Sequence, residues 1–260
     1  MTNDDGVHAP GLLALADALA AAHDVTVVAP ATNQTGASRA ISLAGPVEVD
    51  EVDMPGGRRA FAVGGTPVDC VRFALSGAAG ELPEAVCSGI NSGVNLGDDV
   101  TYSGTVAAAM EGLLEGLPSL AFSQQSLARS VRGWEGDFDY RALAAFAGRL
   151  LPVVLERGLP DGVLLNVNGP GVGPGELAGV RVCPLGRRVF RIAALEPPYD
   201  GARRHYRLYD TDPAEHDEEG TDFAAIAEGC IAITPVHLDL TDRAALEALG
   251  AMDLGALANP

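Results

Sequence analysis

Two adjacent carboxylates, Asp4 and Asp5, stand near the start of the chain between an asparagine and a glycine. Their oxygen atoms are hard ligands of the kind that Mg²⁺ and Mn²⁺ prefer. An Asp-Asp-Gly sequence is also typical of an ordinary turn. The pair therefore indicates a metal site only if other oxygen ligands are brought to the same place.

Two further segments carry neutral oxygen ligands. Thr35 supplies a hydroxyl in the loop after one candidate strand, and Asn91 supplies an amide oxygen at the end of another. Thr35 alone is more often a loop or capping residue than a ligand. Carboxylate, hydroxyl and amide oxygens together suit Mg²⁺ or Mn²⁺ better than zinc.

A phosphate-binding segment is a candidate neighbour of these ligands. The run SGTVAAAMEG predicts an Ala-rich helix that begins with Ser103, Gly104 and Thr105. Free amides and the positive end of a helix dipole bind phosphate groups, although Ser-Gly-Thr is also an ordinary helix cap. Metal ligands that face such an N-terminus favour phosphate-ester hydrolysis.

The elements that would position these residues alternate along the chain. Strand-like runs cover 24–30, 59–65, 84–90, 119–125, 162–168 and 179–186, and helix-like runs cover 10–22, 66–79, 103–116 and 140–158, the last kinked or divided at Pro152. This alternation predicts an α/β fold with a mainly parallel sheet flanked by helices. Ligands bind beyond the carboxyl ends of such strands, where the loops with Asp5, Thr35 and Asn91 fall.

The last third of the chain breaks this alternation. Residues 187–221 are rich in Arg and aromatic side chains, with a Pro-Pro-Tyr-Asp-Gly turn between two strand-like arms. We expect a projecting β-hairpin whose apolar arms contact another subunit. The chain is thus divided into a catalytic domain (1–186), the hairpin (187–221) and a C-terminal segment (222–260) that completes the fold or is exchanged with a partner subunit.

Composition narrows the classes of partner. The net charge is −18 and all 17 basic residues are Arg, which argues against nucleic-acid polymers and anionic membranes as partners. The four cysteines are far apart without a C-x-x-C, so reduced thiols are favoured over a disulfide framework or zinc site. We find no signal-peptide pattern and no apolar run near about 18 residues, and expect a cytoplasmic protein.

Four stretches together resemble the SurE family of stationary-phase survival 5′/3′-nucleotidases. They are TNDDGVHAPG, GTPVDCV, SGINSGVNLGDDVTYSGTVAAAMEG and GTDFAAIAEGCIAITPVHLDLT, in this order between residues 2 and 241. The resemblance implies a Rossmann-like domain and a metal-dependent phosphomonoesterase that converts nucleoside 5′- and 3′-monophosphates to nucleoside and phosphate. It also implies a homodimer or homotetramer that exchanges the hairpin and the C-terminal segment.

The resemblance also assigns roles to residues of this chain. It implies one divalent metal per subunit, Mg²⁺ or Mn²⁺, with Asp4, Asp5, Thr35 and Asn91 as ligands, and a phosphate pocket formed by Asn95, Ser103, Gly104 and Thr105. Asp4 and Asp5 are the candidate catalytic residues, Asp4 being preferred as nucleophile or base and a metal-polarised water being the alternative attacking group. His8 is a candidate acid for the leaving group, but packing is the favoured interpretation.

Two features depart from the family pattern. Thr35 stands where the family usually has Ser, and its extra methyl group stiffens the side chain. Only Met1 and Thr2 precede the Asn-Asp-Asp-Gly motif, where family members have a short apolar strand. At about 3.3 Å per residue this stub cannot cross a sheet. We therefore expect a groove in the core, a frayed terminus and further residues upstream of Met1.

Other functions remain open to different degrees. A dinucleotide or nucleotide-sugar enzyme would carry G-x-G-x-x-G after its first strand, and none is present there. A phosphatase with a nucleophilic D-x-D motif needs a spacing that the adjacent Asp4 and Asp5 lack. A nucleotide-binding or assembly protein that keeps the fold but has lost activity stays open, because Thr35 and the short N-terminus both affect the site.

Overall fold

The computed structural model describes residues 1–129, 136–187, 219–252 and 254–255. The helices there are α1 (Pro10–Leu19), α2 (Pro67–Leu75), α3 (Gly104–Leu114), α4 (Arg141–Arg157), α5 (Asp222–Ala227) and α6 (Arg243–Gly250), with a 3₁₀ turn, η1, at Gly97–Thr101. The strands are β1 (Val27–Pro30), β2 (Val49–Asp53), β3 (Arg59–Val63), β4 (Val86–Ser92), β5 (Ser119–Gln124), β6 (Val163–Gly169), β7 (Gly179–Val182) and β8 (Cys230–His237). Most of the expected hairpin (187–221) lies in 188–218, outside these ranges, and the hairpin stays a prediction.

The strands form two sheets. One has the order β1-β3-β2 and the other the order β4-β5-β6-β8-β7. Pairing is parallel in β1–β3, β4–β5, β5–β6 and β7–β8, and antiparallel in β2–β3 and β6–β8. The predicted α/β fold with a mainly parallel sheet is therefore confirmed.

The core of the larger sheet lies on both of its faces. Every residue of β5 is buried. Leu120 and Phe122 belong to a cluster with residues of α1 and α4, whereas Ala121 packs in a second cluster with residues of α3. Helices thus cover both faces, as a mainly parallel sheet requires.

Local chemistry explains where the helices begin and end. Thr66 and Asp69 form a reciprocal capping box at the start of α2, with Pro67 in the first turn. The α4 helix runs without a break through Pro152, so of the two expectations there the division is wrong and the kink stays a prediction. No helix in the described ranges is long and apolar enough to span a bilayer.

The chain start connects the two sheets. The main-chain oxygen of Met1 accepts a hydrogen bond from the N–H of Val28 in β1 at 2.8 Å. Thr2 forms a parallel bridge with Ser88 of β4, and its N–H donates to the oxygen of Cys87 at 3.1 Å. Met1 and Thr2 therefore occupy the position of a strand between β1 and β4.

A groove of about 420 Å³ continues from this short bridge. Its walls include Met1 and residues 23–26 and 81–87. The expected groove is thus confirmed, but the expected fraying is wrong. The terminal amino group donates to the oxygen of Thr26 at 2.7 Å, and the Asn3 side chain both donates to and accepts from the main chain of Gly6.

Candidate active site

Asp4 is buried at the N-terminus of α3. Its Oδ1 accepts a hydrogen bond from the Thr105 hydroxyl at 2.5 Å, and only 3% of the residue is exposed. A Cβ atom at Gly104 would lie 2.8 Å from the Cβ of Asp4. Because Asp4 fills the space that a side chain at 104 would need, the helix must start with glycine. The structure thus brings Asp4 together with the predicted phosphate-binding segment.

The environment of Asp4 favours its neutral form. Burial raises the pKa of Asp4 to about 6, and the neighbouring charge of Asp5 adds to the rise. The hydrogen bond from Thr105 acts in the opposite direction. A carboxyl group with such a pKa can take up or release a proton near neutral pH.

Asp5 contacts the end of β4. Its Oδ2 accepts hydrogen bonds from the main-chain N–H and the hydroxyl of Ser92, both at 3.0 Å. The Ser92 hydroxyl also lies 3.0 Å from the hydroxyl of Tyr140. Burial raises the pKa of Asp5, while hydrogen bonds from Ser92 and from the Thr35 side chain lower it. The Thr35 side chain therefore lies beside Asp5.

Asn91 lies in β4 next to this contact. Its Nδ2 donates to the oxygen of Gly93 at 2.7 Å, so its Oδ1 points away from that carbonyl group. The pairing of β4 shifts register between Ser88 and Asn91. Gly89, within the shift, has a φ of 125°, and a Cβ atom there would lie 2.2 Å from the Phe122 oxygen. Only glycine fits this close approach.

The loop after β1 is attached to the site on both sides of Thr35. The N–H of Gln34 donates to the main-chain oxygen of Asp4 at 2.7 Å. The hydroxyl of Ser38 donates to the oxygen of Thr101 in η1 at 2.7 Å. The loop therefore links β1, Asp4 and the segment that precedes α3.

Asn95 is held by a buried polar network. Its N–H donates to Oδ1 of Asn168 at 2.8 Å, and its oxygen accepts from the amides of Asn166 and Asn168 at 2.8 and 3.1 Å. Its own Nδ2 donates to the hydroxyl of Ser123 at 2.8 Å. These contacts fix both the main chain and the side chain of Asn95.

The remaining predicted phosphate-binding residue is Ser103. It is the N-cap of α3, and its hydroxyl accepts a hydrogen bond from the N–H of Val106 at 3.1 Å.

The prediction that His8 packs in the protein is wrong, because that side chain is exposed. All four cysteines are buried, as expected, and none is paired in a disulfide.

Several contacts at the site were not predicted from the sequence. Ser92 could have been found, because it directly follows Asn91 in the Gly- and Asn-rich run. Tyr140 could not, because it reaches Ser92 from the residue preceding α4, 48 positions further along the chain. The pairing of Asn168 with Asn95 likewise depends on the fold.

Comparison with known proteins identifies the family. The family model described as "Survival protein SurE" matches residues 1–192. The chain belongs to the SurE family. It is 46% identical over 260 residues to the 5′-nucleotidase SurE of Rubrobacter xylanophilus, with 99% of this chain and 97% of that protein covered. It is 45% identical over 256 residues to the 5′-nucleotidase SurE of Geobacter sulfurreducens, with 98% and 94% covered.

A solved SurE structure shares this fold. The crystal structure of the SurE protein from Aquifex aeolicus matches with a TM-score of 0.81 and 34% sequence identity. The match covers 95% of this chain and 96% of that chain. The resemblance drawn from the four sequence motifs is confirmed, and so is the fold that it implies.

Proposed function

We propose that this SurE-family chain is a 5′-nucleotidase, a phosphoric monoester hydrolase that releases phosphate from nucleoside 5′-monophosphates, and also from 3′-monophosphates. Its relatives in Rubrobacter and Geobacter carry the name 5′-nucleotidase. The observation that carries the proposal is the burial of the Asp4 carboxylate at the N-terminus of α3. This position supports a catalytic role for Asp4, because a helix N-terminus can bind the phosphate group of a substrate.

We propose that Asp4, Asp5, Thr35 and Asn91 hold one divalent cation, Mg²⁺ or Mn²⁺, per subunit. In the described ranges no group of three or more His, Cys, Asp or Glu side chains is placed to hold a metal. A site made of two carboxylates and neutral oxygens suits a hard cation. The raised pKa values of Asp4 and Asp5 support the fit, because a nearby cation would favour the charged carboxylates. When bound, such an ion polarises a phosphate oxygen or a water molecule.

We propose that Asn95, Ser103, Gly104 and Thr105 bind the phosphate group of the substrate. The amides and the dipole at the start of α3 attract its negative charge. The hydroxyl of Thr105 already donates to Asp4, so this residue also orients the carboxylate. Asp4 then acts as base or nucleophile, the two roles open to a charged carboxylate beside the phosphate group.

The first test is phosphate release from 5′- and 3′-nucleotides and from p-nitrophenyl phosphate. The protein is stripped of metal, assayed, and assayed again with Mg²⁺ or Mn²⁺. We expect metal-dependent turnover that falls by about 100-fold or more in Asp4→Asn. The matched control is Asp50→Asn on the exposed side of β2, which should keep wild-type turnover.

Two outcomes would contradict parts of the proposal. Full turnover without metal would remove the metal from the reaction. Nucleotide binding without turnover, in correctly folded protein, would favour the alternative of a nucleotide-binding or assembly protein.

Two substitutions test whether the hydroxyl of Thr35 binds the metal. Thr35→Ser keeps the hydroxyl, whereas Thr35→Val removes it. We expect Thr35→Ser to bind Mn²⁺ and Thr35→Val to bind it about 10-fold more weakly.

We also propose that the protein assembles as a homodimer or homotetramer. Helix α6 buries none of its residues within the described ranges, and Leu246 and Leu249 are exposed. Val182 on β7 is 75% exposed. Apolar side chains on an unpaired helix face and an edge strand are typical of subunit contacts. Light scattering after gel filtration tests this, and Leu246→Glu should reduce the mass towards that of a monomer.

A further inference from the structure

The motif GTPVDCV at residues 65–71 supplies none of the proposed metal or phosphate ligands. It forms the start of α2, and Asp69 within it is 9% exposed. Asp69 belongs to the capping box of α2, but the contacts of its carboxylate extend beyond this helix. They reach the loop that carries Thr35.

Asp69 binds the loop through one residue, Ser42. Its Oδ1 accepts the N–H of Ser42 at 3.0 Å, and its Oδ2 accepts the Ser42 hydroxyl at 2.7 Å. Oδ2 also accepts the N–H of Thr66 at 2.8 Å. Burial by itself would raise the pKa of Asp69, but the hydrogen bonds from Ser42 and Thr66 outweigh it and lower the pKa. The carboxylate is therefore charged, and charge-assisted hydrogen bonds of this kind are strong.

The loop itself is held by individual contacts and not by regular secondary structure. Residues 31–48 contain no helix or strand. Loops of this length in compact domains are commonly functional. Besides the Ser42 contact, the loop is held by the bonds of Gln34 to Asp4 and of Ser38 to Thr101, and Arg39 forms an ion pair with Glu111 of α3 at 3.8 Å. The Thr66 hydroxyl also donates to a loop oxygen, that of residue 40, at 2.8 Å.

We propose that Asp69 is a positioning residue: through Ser42 it holds the 31–48 loop against α2 and thereby places Thr35 beside Asp5. The proposal rests on the proposed function, because it treats Thr35 as a ligand of the catalytic metal. It gives the GTPVDCV motif a role in the reaction although its residues lie outside the ligand set. In this role the Asp69 carboxylate caps α2 through Thr66 and binds the 31–48 loop through Ser42.

Substitutions of Asp69 and of Ser42 test whether the two residues act through the same contact. Asp69→Asn keeps the size of the side chain but replaces one acceptor oxygen with a donor amide that faces other donors. Ser42→Ala removes only the hydroxyl donor. If both act on one contact, the double variant should be less impaired than the sum of the single effects, since contacting residues are not additive. Asp50→Asn on β2 is the matched control.

Two readouts report loop position and metal binding independently. Arg39 is the only trypsin site within residues 31–48, so cleavage after it measures release of the loop. Mn²⁺ affinity is measured by titration calorimetry. We expect Asp69→Asn to be cleaved after Arg39 about 10-fold faster and to bind Mn²⁺ about 10-fold more weakly. In a Thr35→Ala background, Asp69→Asn should weaken Mn²⁺ binding no further.

Faster cleavage with wild-type Mn²⁺ affinity would overturn the proposal, because the contact would then be structural only. So would an undiminished effect of Asp69→Asn in the Thr35→Ala background. If Asp69→Asn does not fold, Ser42→Ala, on the exposed loop, must show smaller shifts in the same directions. Failure of the wild-type protein to bind Mn²⁺ would instead overturn the proposed metal site, and cleavage after Arg39 would still decide whether the tether exists.

Discussion

The side-chain amide of Asn168 pairs with the main chain of Asn95 as a neighbouring strand would. Its Oδ1 accepts the N–H of Asn95 at 2.8 Å, and its Nδ2 donates to the oxygen of Asn95 at 3.1 Å. Asn168 is completely buried at the end of β6. Buried main-chain groups need partners, so this side chain replaces the sheet hydrogen bonds that the chain loses when it leaves β4.

Removing this pairing should destabilise the protein and lower its turnover. Asn168→Ala leaves the N–H of Asn95 without its acceptor, and we expect a loss of about 1–3 kcal/mol in the free energy of unfolding. Asn168→Asp keeps that acceptor but turns a carboxylate oxygen towards a carbonyl oxygen. Its stability should therefore recover as the pH falls and the carboxylate is protonated. Urea unfolding at several pH values checks both, and wild-type stability in both variants would contradict the assigned role.

Asp4 should make the stability of the metal-free protein depend on pH. Its pKa is about 6 in the folded chain against an ordinary value of 3.8, so the folded state binds the proton more tightly. The resulting stabilisation is present below about pH 4 and is lost as the pH rises to about 6. A difference of about 2 pKa units corresponds to about 3 kcal/mol.

Asp4→Asn isolates this effect. Urea unfolding in EDTA between about pH 4 and pH 7 should show a smaller loss of stability in Asp4→Asn than in the wild-type protein. Mn²⁺ should reduce the wild-type loss, because a cation favours the charged carboxylate. The exposed control Asp50→Asn should follow the wild type. Identical pH profiles for Asp4→Asn and the wild type would show that Asp4 titrates normally.

Gly104→Ala should be harmful despite the usual preference of helices for alanine. Replacing a helical glycine with alanine typically gains up to about 1 kcal/mol. At position 104, however, the new Cβ atom would lie 2.8 Å from the Cβ of Asp4. We expect lower thermal stability and lower turnover. A Cβ atom added at Gly250 in α6 would have no neighbouring atom within 4 Å, so Gly250→Ala should be neutral or stabilising. If both substitutions increase stability, a Cβ atom at position 104 does not clash with Asp4.

Filling the groove beside Met1 should stabilise the fold. The groove lies between residues 23–26 and 81–87, in line with the bridge that Thr2 forms. A short run of Val and Ile fused ahead of Met1 can pair with both neighbouring strands and bury apolar area. We expect a higher melting temperature than for a Gly/Ser run of equal length. Equal melting temperatures would show that the groove does not accept a strand.

Much of the fold followed from local sequence signals. The starts of α2 and α3 were predicted because Thr66 and Ser103 are capping residues placed ahead of apolar helical runs. The strand β2 was missed, because its sequence VDEVD is acidic and mostly exposed at a sheet edge. Division of α4 at Pro152 was wrong: the proline lies on an exposed face, and Leu151 and Val154 beside it are buried in the core.

The site was predictable only where its residues lie at strand or helix ends. The meeting of Asp4 with the 103–105 segment follows from the rule that ligands bind beyond the carboxyl ends of parallel strands. The contact between Ser92 and Tyr140, and the tether from Ser42 to Asp69, join segments that no local pattern relates. Such contacts depend on how helices and loops pack on the sheet. Local patterns in a single sequence do not show that packing.

Because Met1 and Thr2 lie between the two sheets, the proposed metal site lies at the junction of the two sheets. Thr35 follows a strand of the smaller sheet, whereas Asn91 belongs to the larger one. Met1 and Thr2 join the two sheets, and Asp4 and Asp5 follow them after one residue, Asn3. A cation bound by all four residues would link the two sheets. Any movement of one sheet relative to the other would change the distances between the ligands. A change that loosens the contact between the two sheets would therefore also lower metal-dependent turnover.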